Sequence, residues 1–379
     1  MTLPKSRNTP TAAILGGGIV GATIAWRLAQ QGWHPSIFEK GSFGGEASWA
    51  GAGMLAPGGE IDAPSLLTDL ILESRKLYPA FVNELQDESE IRIDYQECGA
   101  LDLAYSEKEW RELQARAEKQ RTLGIESHPI SLAKIRSLWP FVRREDVFGA
   151  LLYPGDAVVN PRDLMRALQI VLERKSNQVS IFQQTAAERV EIFSHHALVH
   201  SSSGIIRADA VVLAAGAWSS QIPLIGVERV PTSEPIKGHL ISYRTEKRCC
   251  PTILRHGHTY ILQRSEGPLI AGTSVERVGY DRTVSPEITR RIEESARFVL
   301  PCLLEEAPAQ NWIGFRPGGN SLHIGSWQDL PLYLAYGHFR NGILLAPVTA
   351  SRLVREMSLF GRDSARGVNG SPFRQAGSR

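Results

Sequence analysis

Three glycines in one spacing, Gly16-x-Gly18-x-x-Gly21, constrain this chain more than any other feature. They follow the apolar run Ala12-Ala13-Ile14-Leu15. They open a segment, 19–31, in which Ala22, Ala25, Leu28 and Ala29 recur at helical spacing before Gly32 stops it. A second apolar run, Ser36-Ile37-Phe38, ends on Glu39. Strand, glycine turn, helix and strand in this order predict a βαβ unit of the dinucleotide-binding kind. The first glycine permits the turn, the second lets a pyrophosphate approach the backbone, and the third lets the helix pack on the strand. The helix N-terminus then offers unpaired N–H groups and positive potential to phosphates. Glu39 closes the second strand, where an acid takes ribose hydroxyls. The glycines alone leave NAD and FAD both open. The small-residue run Ala47-Ser48-Trp49-Ala50-Gly51-Ala52-Gly53-Met54 favours FAD, because an isoalloxazine needs a second backbone-lined approach beyond the βαβ unit.

The remaining length, out of 379 residues, suffices for a second domain-sized unit. Helices are predicted over 62–86 and over 106–123, where Ser106 and Glu109 form a capping box. Others run from Asn160-Pro161 to about Lys175, from Ser285-Pro286 toward Val299, and onward from near Gly342. Strands are predicted at 179–182, 188–193, 197–201, Val211–Leu213, His239–Tyr243, Thr259–Leu262, Leu269–Thr273, 322–325 and 332–335. Dinucleotide-binding elements thus recur at the start, middle and end, with antiparallel-looking strands between them. The expected fold class is α/β, a Rossmann-like FAD-binding domain interleaved with an α+β substrate domain built on an antiparallel sheet. Segments 10–84, 145–220 and 313–360 are assigned to the first domain, 85–144 and 221–312 to the second, and 361–379 to a disordered tail.

Composition removes several functions. Lys+Arg 42 against Asp+Glu 40 leaves a net charge of +2, mixed along the chain, which gives no electrostatic case for nucleic acid or an anionic membrane. Lys5 and Arg7 before an uncharged stretch imitate a signal peptide, but Pro10 and Gly16-Gly17-Gly18 interrupt it. No apolar run nears the ~20 residues that span a bilayer. Cys98, Cys249, Cys250 and Cys302 form no CxxC pair, so reduced thiols and a cytoplasmic setting are expected. His195, His196 and His200 lack metal-ligand partners at useful spacing, and no metal is expected.

Two arginines stand in glycine and aromatic settings. Arg316, within Trp312-Ile313-Gly314-Phe315-Arg316-Pro317, suits bidentate capture of a substrate carboxylate. Arg340 and Asn341 directly precede the last helix, whose N-terminal N–H groups favour a flavin that gains negative charge on reduction.

Together with Gly16–Gly21 and Glu39, several strings carry a resemblance. They are Ala50-Gly51-Ala52-Gly53-Met54-Leu55-Ala56-Pro57, Pro154-Gly155-Asp156, Ala215-Gly216-Ala217-Trp218-Ser219, Lys237-Gly238, Gly314-Phe315-Arg316-Pro317 and Gly337-His338-Phe339-Arg340-Asn341-Gly342-Ile343-Leu344-Leu345-Ala346-Pro347. Over residues 10–358 the chain resembles the FAD-dependent D-amino-acid oxidase family, in particular its glycine oxidase-like members of thiamine synthesis. The resemblance implies FAD contacts at Gly16, Gly18, Ile19, Val20, Gly21, Glu39, Lys40, Ala47, Ser48, Ala52, Gly53 and Met54. It implies Ala187 on the adenine side, and His338, Phe339, Arg340, Asn341, Gly342, Ile343 and Leu344 along the flavin ring. Arg316 would hold the substrate carboxylate, with Tyr260 and Arg340 completing the pocket. With no cysteine between 303 and 379, the FAD is expected to be noncovalent.

The activity implied is oxidation of glycine or another small amino acid. Hydride would leave Cα for the flavin, the imine would hydrolyse to 2-oxo acid and ammonia, and O2 would be reduced to hydrogen peroxide. The segment 318–325 departs from the Asp-Gly-x-Pro turn usual in the family, and Asn160 stands where Asp is common. Two other readings stay open: an amino-acid dehydrogenase with another electron acceptor, and an inactive flavin-binding subunit. Oligomeric state is open too, a homo-oligomer included.

Overall fold

Strands buried on both faces of a parallel sheet have to be apolar throughout, and the apolar runs of this chain are gathered into such a sheet. In a computed structural model, which describes residues 9–61, 63–319 and 322–364, six strands form it. Their order is His323–Ser326, Leu332–Tyr336, Ala210–Leu213, Thr11–Leu15, His34–Phe38 and Ser180–Phe182. All pairs are parallel except the edge pair His323–Ser326 with Leu332–Tyr336. Helices Ile19–Gln30, Pro161–Arg174 and Gly342–Ser364 bury residues such as Trp26, Leu168 and Leu345 in the core on one face. A small sheet containing Ala187–Ile192, Ala197–Ser201 and Gly204–Ala208 closes the other face through Val190, Val199 and Ala208.

The second body is an eight-stranded sheet. Its order is Gln310–Gly319, Ser233–Tyr243, Leu269–Gly272, Thr259–Gln263, Ile253–His256, Ala100–Ala104, Gly149–Tyr153 and His128–Pro129. Every pair is antiparallel except Ile253–His256 with Ala100–Ala104. Alternation along a strand sends successive side chains to opposite faces. Leu240, Tyr260, Leu262, Ile270 and Trp312 accordingly join the core of the six-stranded body. Ile241, Tyr243, Ile261, Leu269 and Ala271 face a separate core capped by helix Pro286–Val299.

The sequence reading groups 145–220 and 313–360 with the cofactor-binding segments. Strand Gly149–Tyr153 pairs instead with Ala100–Ala104, and Gln310–Gly319 pairs with Ser233–Tyr243 in one unbroken ladder from Ser242–Gln310 to Ser233–Gly319. The helix expected over 62–86 is Leu66–Ser89, because the Ser65 side chain accepts the Thr68 N–H and Glu90 turns left-handed at φ 60°. The last helix passes the expected tail boundary at Gly361 and runs to Ser364; one glycine inside a long helix costs only about 1 kcal/mol. The rest of the expected tail, 365–379, lies outside the described residues. All four cysteines are free thiols. Among the described residues no helix is long and apolar enough to cross a membrane.

Candidate active site

A cavity of about 540 Å³ lies between the two bodies, at the C-terminal ends of strands Thr11–Leu15 and His34–Phe38. Open α/β sheets bind ligands at this end of their strands. The glycine turn begins with Gly16 at φ +113°, where a Cβ would lie 2.5 Å from the Ala214 carbonyl oxygen. Gly21 stands behind the turn, where a Cβ would lie 2.1 Å from the Gly16 oxygen. Its place is thus the helix–strand contact and not the cavity wall. The first helical bond runs from the Ala22 N–H to Gly18 O. Gly18 and Val20 line the cavity, and their N–H groups have no acceptor among the described residues. The Ile19 N–H donates to Ser48 Oγ at 2.9 Å, leaving the hydroxyl proton of Ser48 for a ligand.

Glu39 is buried on the wall with both carboxylate oxygens engaged. Gly17 N–H donates to Oε2 at 2.9 Å and Gly41 N–H to Oε1 at 2.7 Å. Each oxygen keeps a lone pair for a ribose hydroxyl. The acid therefore builds the glycine turn as well as facing its ligand. Lys40 lies 3.6 Å over the Trp218 ring. Trp218 stacks on Tyr280, whose hydroxyl donates to Ala217 O at 2.6 Å. Beside them Arg282 pairs with Glu46 at 2.5 Å. Tyr280 and Arg282 belong to the loop after strand Leu269–Gly272, so this loop clasps one body to the other across the cavity.

A second helix N-terminus meets the cavity at its far end. Gly342 and Ile343 line it, and the first helical bond of Gly342–Ser364 is Leu345 N–H to Asn341 O. The N–H groups of Gly342 and Ile343 thus have no acceptor among the described residues. They offer positive potential to an electron-rich ring edge. His338 beneath them is buried, with Nε2 3.0 Å from Thr349 Oγ1, and burial lowers its pKa to about 4. Leu344 is turned away, 1% exposed in the core, and gives only its carbonyl, to Ser74 Oγ. The residues present fit FAD: one unpaired helix terminus for phosphates, one for the flavin, and small residues Ala47 to Met54 between them.

The substrate end is made of side chains. Arg316 Nη2 donates to Thr273 Oγ1 at 2.6 Å and Nη1 to Ser274 O at 3.0 Å. Room for this guanidinium depends on Gly238, where a Cβ would lie 2.3 Å from Nη2. No carboxylate among the described residues pairs with Arg316, and burial lowers its pKa. A desolvated guanidinium without a counter-ion is a receptor for an anion. Tyr260 is buried beside it, and burial raises its phenol pKa, so it stays protonated and able to donate. Arg340 also lines this end, paired with Glu60 at 3.1 Å.

Apart from Gly21 and Leu344, every residue expected at the site lines this one cavity, from Gly16 and Ala187 at one end to Tyr260, Arg316 and Arg340 at the other. Within the divergent stretch 318–325, Gly318 and Gly319 end a paired strand, while Asn320 and Ser321 lie outside the described residues. Glu60 and Thr273 are additions that sequence reasoning missed. Glu60 follows Pro57-Gly58-Gly59 and reads as a surface turn, and Thr273 reads as the end of an apolar strand.

This fold and this cavity define a flavin-binding oxidoreductase. Residues 11–356 match the DAO family of FAD-dependent oxidoreductases, and the chain belongs to that family, with FAD as its cofactor. It is 30% identical over 342 residues to glycine oxidase of Geobacillus kaustophilus, covering 89% of this chain and 90% of that one. It is 30% identical over 352 residues to the bifunctional protein ThiO/ThiG of Trichormus variabilis, covering 90% of this chain and 52% of that one. The crystal structure of glycine oxidase from Bacillus cereus superposes with a TM-score of 0.85 at 29% identity, covering 92% of this chain and 96% of that one.

Proposed function

We propose that this flavoprotein oxidises glycine, or a similarly small primary or secondary amino acid, to the 2-oxo acid with release of ammonia from a primary substrate and of a primary amine from a secondary one. On this reading it passes electrons to O2 to give hydrogen peroxide, feeds thiazole formation for thiamine, and works in the cytoplasm. The six-stranded body holds the cofactor and the eight-stranded body recognises substrate. Arg316 is the observation that carries the proposal, a fixed guanidinium in a partly dry cavity with no carboxylate of the chain's own.

Bound FAD supplies the acceptor for the hydride that leaves the substrate Cα. The chain supplies position. Arg316 pins the substrate carboxylate through two donors, and Tyr260 adds a third from its protonated phenol. Thr273 and the Ser274 carbonyl keep the Arg316 fork from swinging. Apolar neighbours, among them Leu240 and Phe315, exclude water and strengthen each of these contacts. None of the four cysteines lines the cavity, which supports noncovalent FAD.

The test is anaerobic bleaching of the flavin by glycine, sarcosine, D-alanine and the amines left when their carboxyl groups are removed. The acids should bleach it and the amines should not; bleaching by amines alone would overturn the reading. Peroxide yield on admitting air decides the electron acceptor.

A further inference from the structure

We propose that Glu60 receives the ammonium group of the substrate; the inference rests on the amino-acid oxidase reading above. Glu60 ends the short helix Pro57–Glu60 and lines the cavity beside Tyr260, Arg316 and Arg340, with its side chain 16% exposed. Its Oε1 pairs with Arg340. Its Oε2 has no partner among the described residues. The other acids on the wall are elsewhere: Glu39 holds the glycine turn, Glu46 pairs with Arg282, and Glu188 stands next to Ala187. At the substrate end, then, Glu60 offers the one carboxylate oxygen left open among the described residues.

This end offers a zwitterion a partner of each sign, although its two arginines and one carboxylate sum to +1. The Glu60–Arg340 pair is neutral, and Arg316 remains as an unmatched cation for the substrate carboxylate. An amino acid brings an ammonium group as well, and a largely buried ammonium requires an anion within reach. Burial raises the pKa of Glu60 overall, and Arg340, Arg255 and Arg316 oppose that rise; the pair of Oε1 with Arg340 is the contact that favours the anion.

The turn that carries Glu60 is held from behind, as a recognition group requires. Gly58 N–H donates to buried Asp156 at 3.0 Å. Gln120, fully buried, donates from Nε2 to Gly58 O at 2.9 Å and to Ile61 O at 2.6 Å. Arg255 passes so close under Gly59 that a Cβ there would lie 2.4 Å from its Nη1, and Arg255 is itself paired to Asp102 and Asp156. The flanking residues Gly58 and Ile61 are thus both fixed, and Glu60 lies between them.

The experiment compares two ligands of the holoenzyme. Glycine carries carboxylate and ammonium, and its dissociation constant is read from the saturation of the anaerobic bleaching rate. Acetate carries the carboxylate alone, and its constant is read from the perturbed flavin spectrum. Glu60→Gln should weaken glycine by about tenfold to a hundredfold, the worth of one charge-assisted hydrogen bond. Acetate should bind unchanged or tighter, because Arg340 loses its anion. Parallel weakening of both ligands would make Glu60 structural. Tightening of both, or unchanged glycine affinity, would make it only the counter-ion of Arg340. Either result overturns the assignment. Should the glutamine protein lose FAD, Glu60→Asp keeps the charge on a shorter arm, and it too should weaken glycine and spare acetate. A wild-type flavin that no small amino acid bleaches would instead overturn the amino-acid reading itself.

Discussion

At the cofactor end, most of the groups aimed into the cavity are main-chain N–H groups of Gly18, Val20, Gly342 and Ile343, with the side chains of Glu39 and Ser48 added to them; at the substrate end they are the side chains of Tyr260, Arg316, Arg340 and Glu60 alone. Main-chain donors survive most substitutions, provided the turn that aims them survives. Side-chain donors vanish with one codon. The difference means that the cofactor end can stay constant while the substrate end drifts, so a shared fold fixes the flavin before it fixes the amino acid.

The sharpest test of that contrast is Arg316→Ala. Removing one member of a desolvated charge pair costs about 2–5 kcal/mol. We expect kcat/KM for glycine to fall by on the order of 10² to 10³ while the flavin spectrum is retained. Arg316→Lys should recover part of this, because an ammonium lacks the planar fork. Loss of FAD in either variant would break the separation of the two ends.

His338 tests the floor of the flavin end. Its imidazole is held neutral, with its pKa lowered from 6.5 to about 4 by burial. The unfolded chain therefore takes up the proton first. Stability is complete above about pH 6.5 and is lost as pH falls toward about 4, by on the order of 3 kcal/mol. Thermal unfolding of the holoenzyme against pH should show this slope, and His338→Asn should flatten it. An unchanged slope would mean that other groups set the acid limit.

Glu39→Ala should raise the FAD dissociation constant about tenfold to a hundredfold, with turnover restored at saturating FAD. Because Glu39 also accepts from Gly17 and Gly41, the apoprotein should lose thermal stability as well. An apoprotein of unchanged melting temperature would reduce Glu39 to a ligand contact alone. The smallest effect belongs to Arg282→Gln. Its own side chain is largely exposed, although Glu46 is half-buried, and pairs near the surface contribute about 0.2–1 kcal/mol. FAD should dissociate at most a few-fold faster, and added salt should produce the same change in the wild type.

What could be read from the sequence follows the same division. The glycine turn, Glu39 and the last helix lie within short local patterns whose geometry is set by neighbours in the chain. Arg316 was legible because a cation among Trp312, Phe315 and glycines is out of place on a surface. Glu60 was not, because its setting is made by Gln120 and Asp156, which no local pattern connects to it. Pairing across the eight-stranded sheet was equally hidden. Gly149–Tyr153 has the same apolar texture as a strand of the parallel sheet, and only its partner Ala100–Ala104 decides where it goes. Leu344 shows the converse: a residue inside a legible string whose side chain the helix turns into the core.

The cavity wall begins at Leu15 and ends at Ile343. A ribosome must therefore release the chain beyond Ile343 before the cradle exists. Until the helix starting at Gly342 has docked on Ile19–Gln30, the phosphate end has no flavin end to work with. Cofactor capture is placed after every element that lines the cavity has been made. A chain stalled before Gly342 lacks the flavin end of the cradle, and should hold the cofactor poorly.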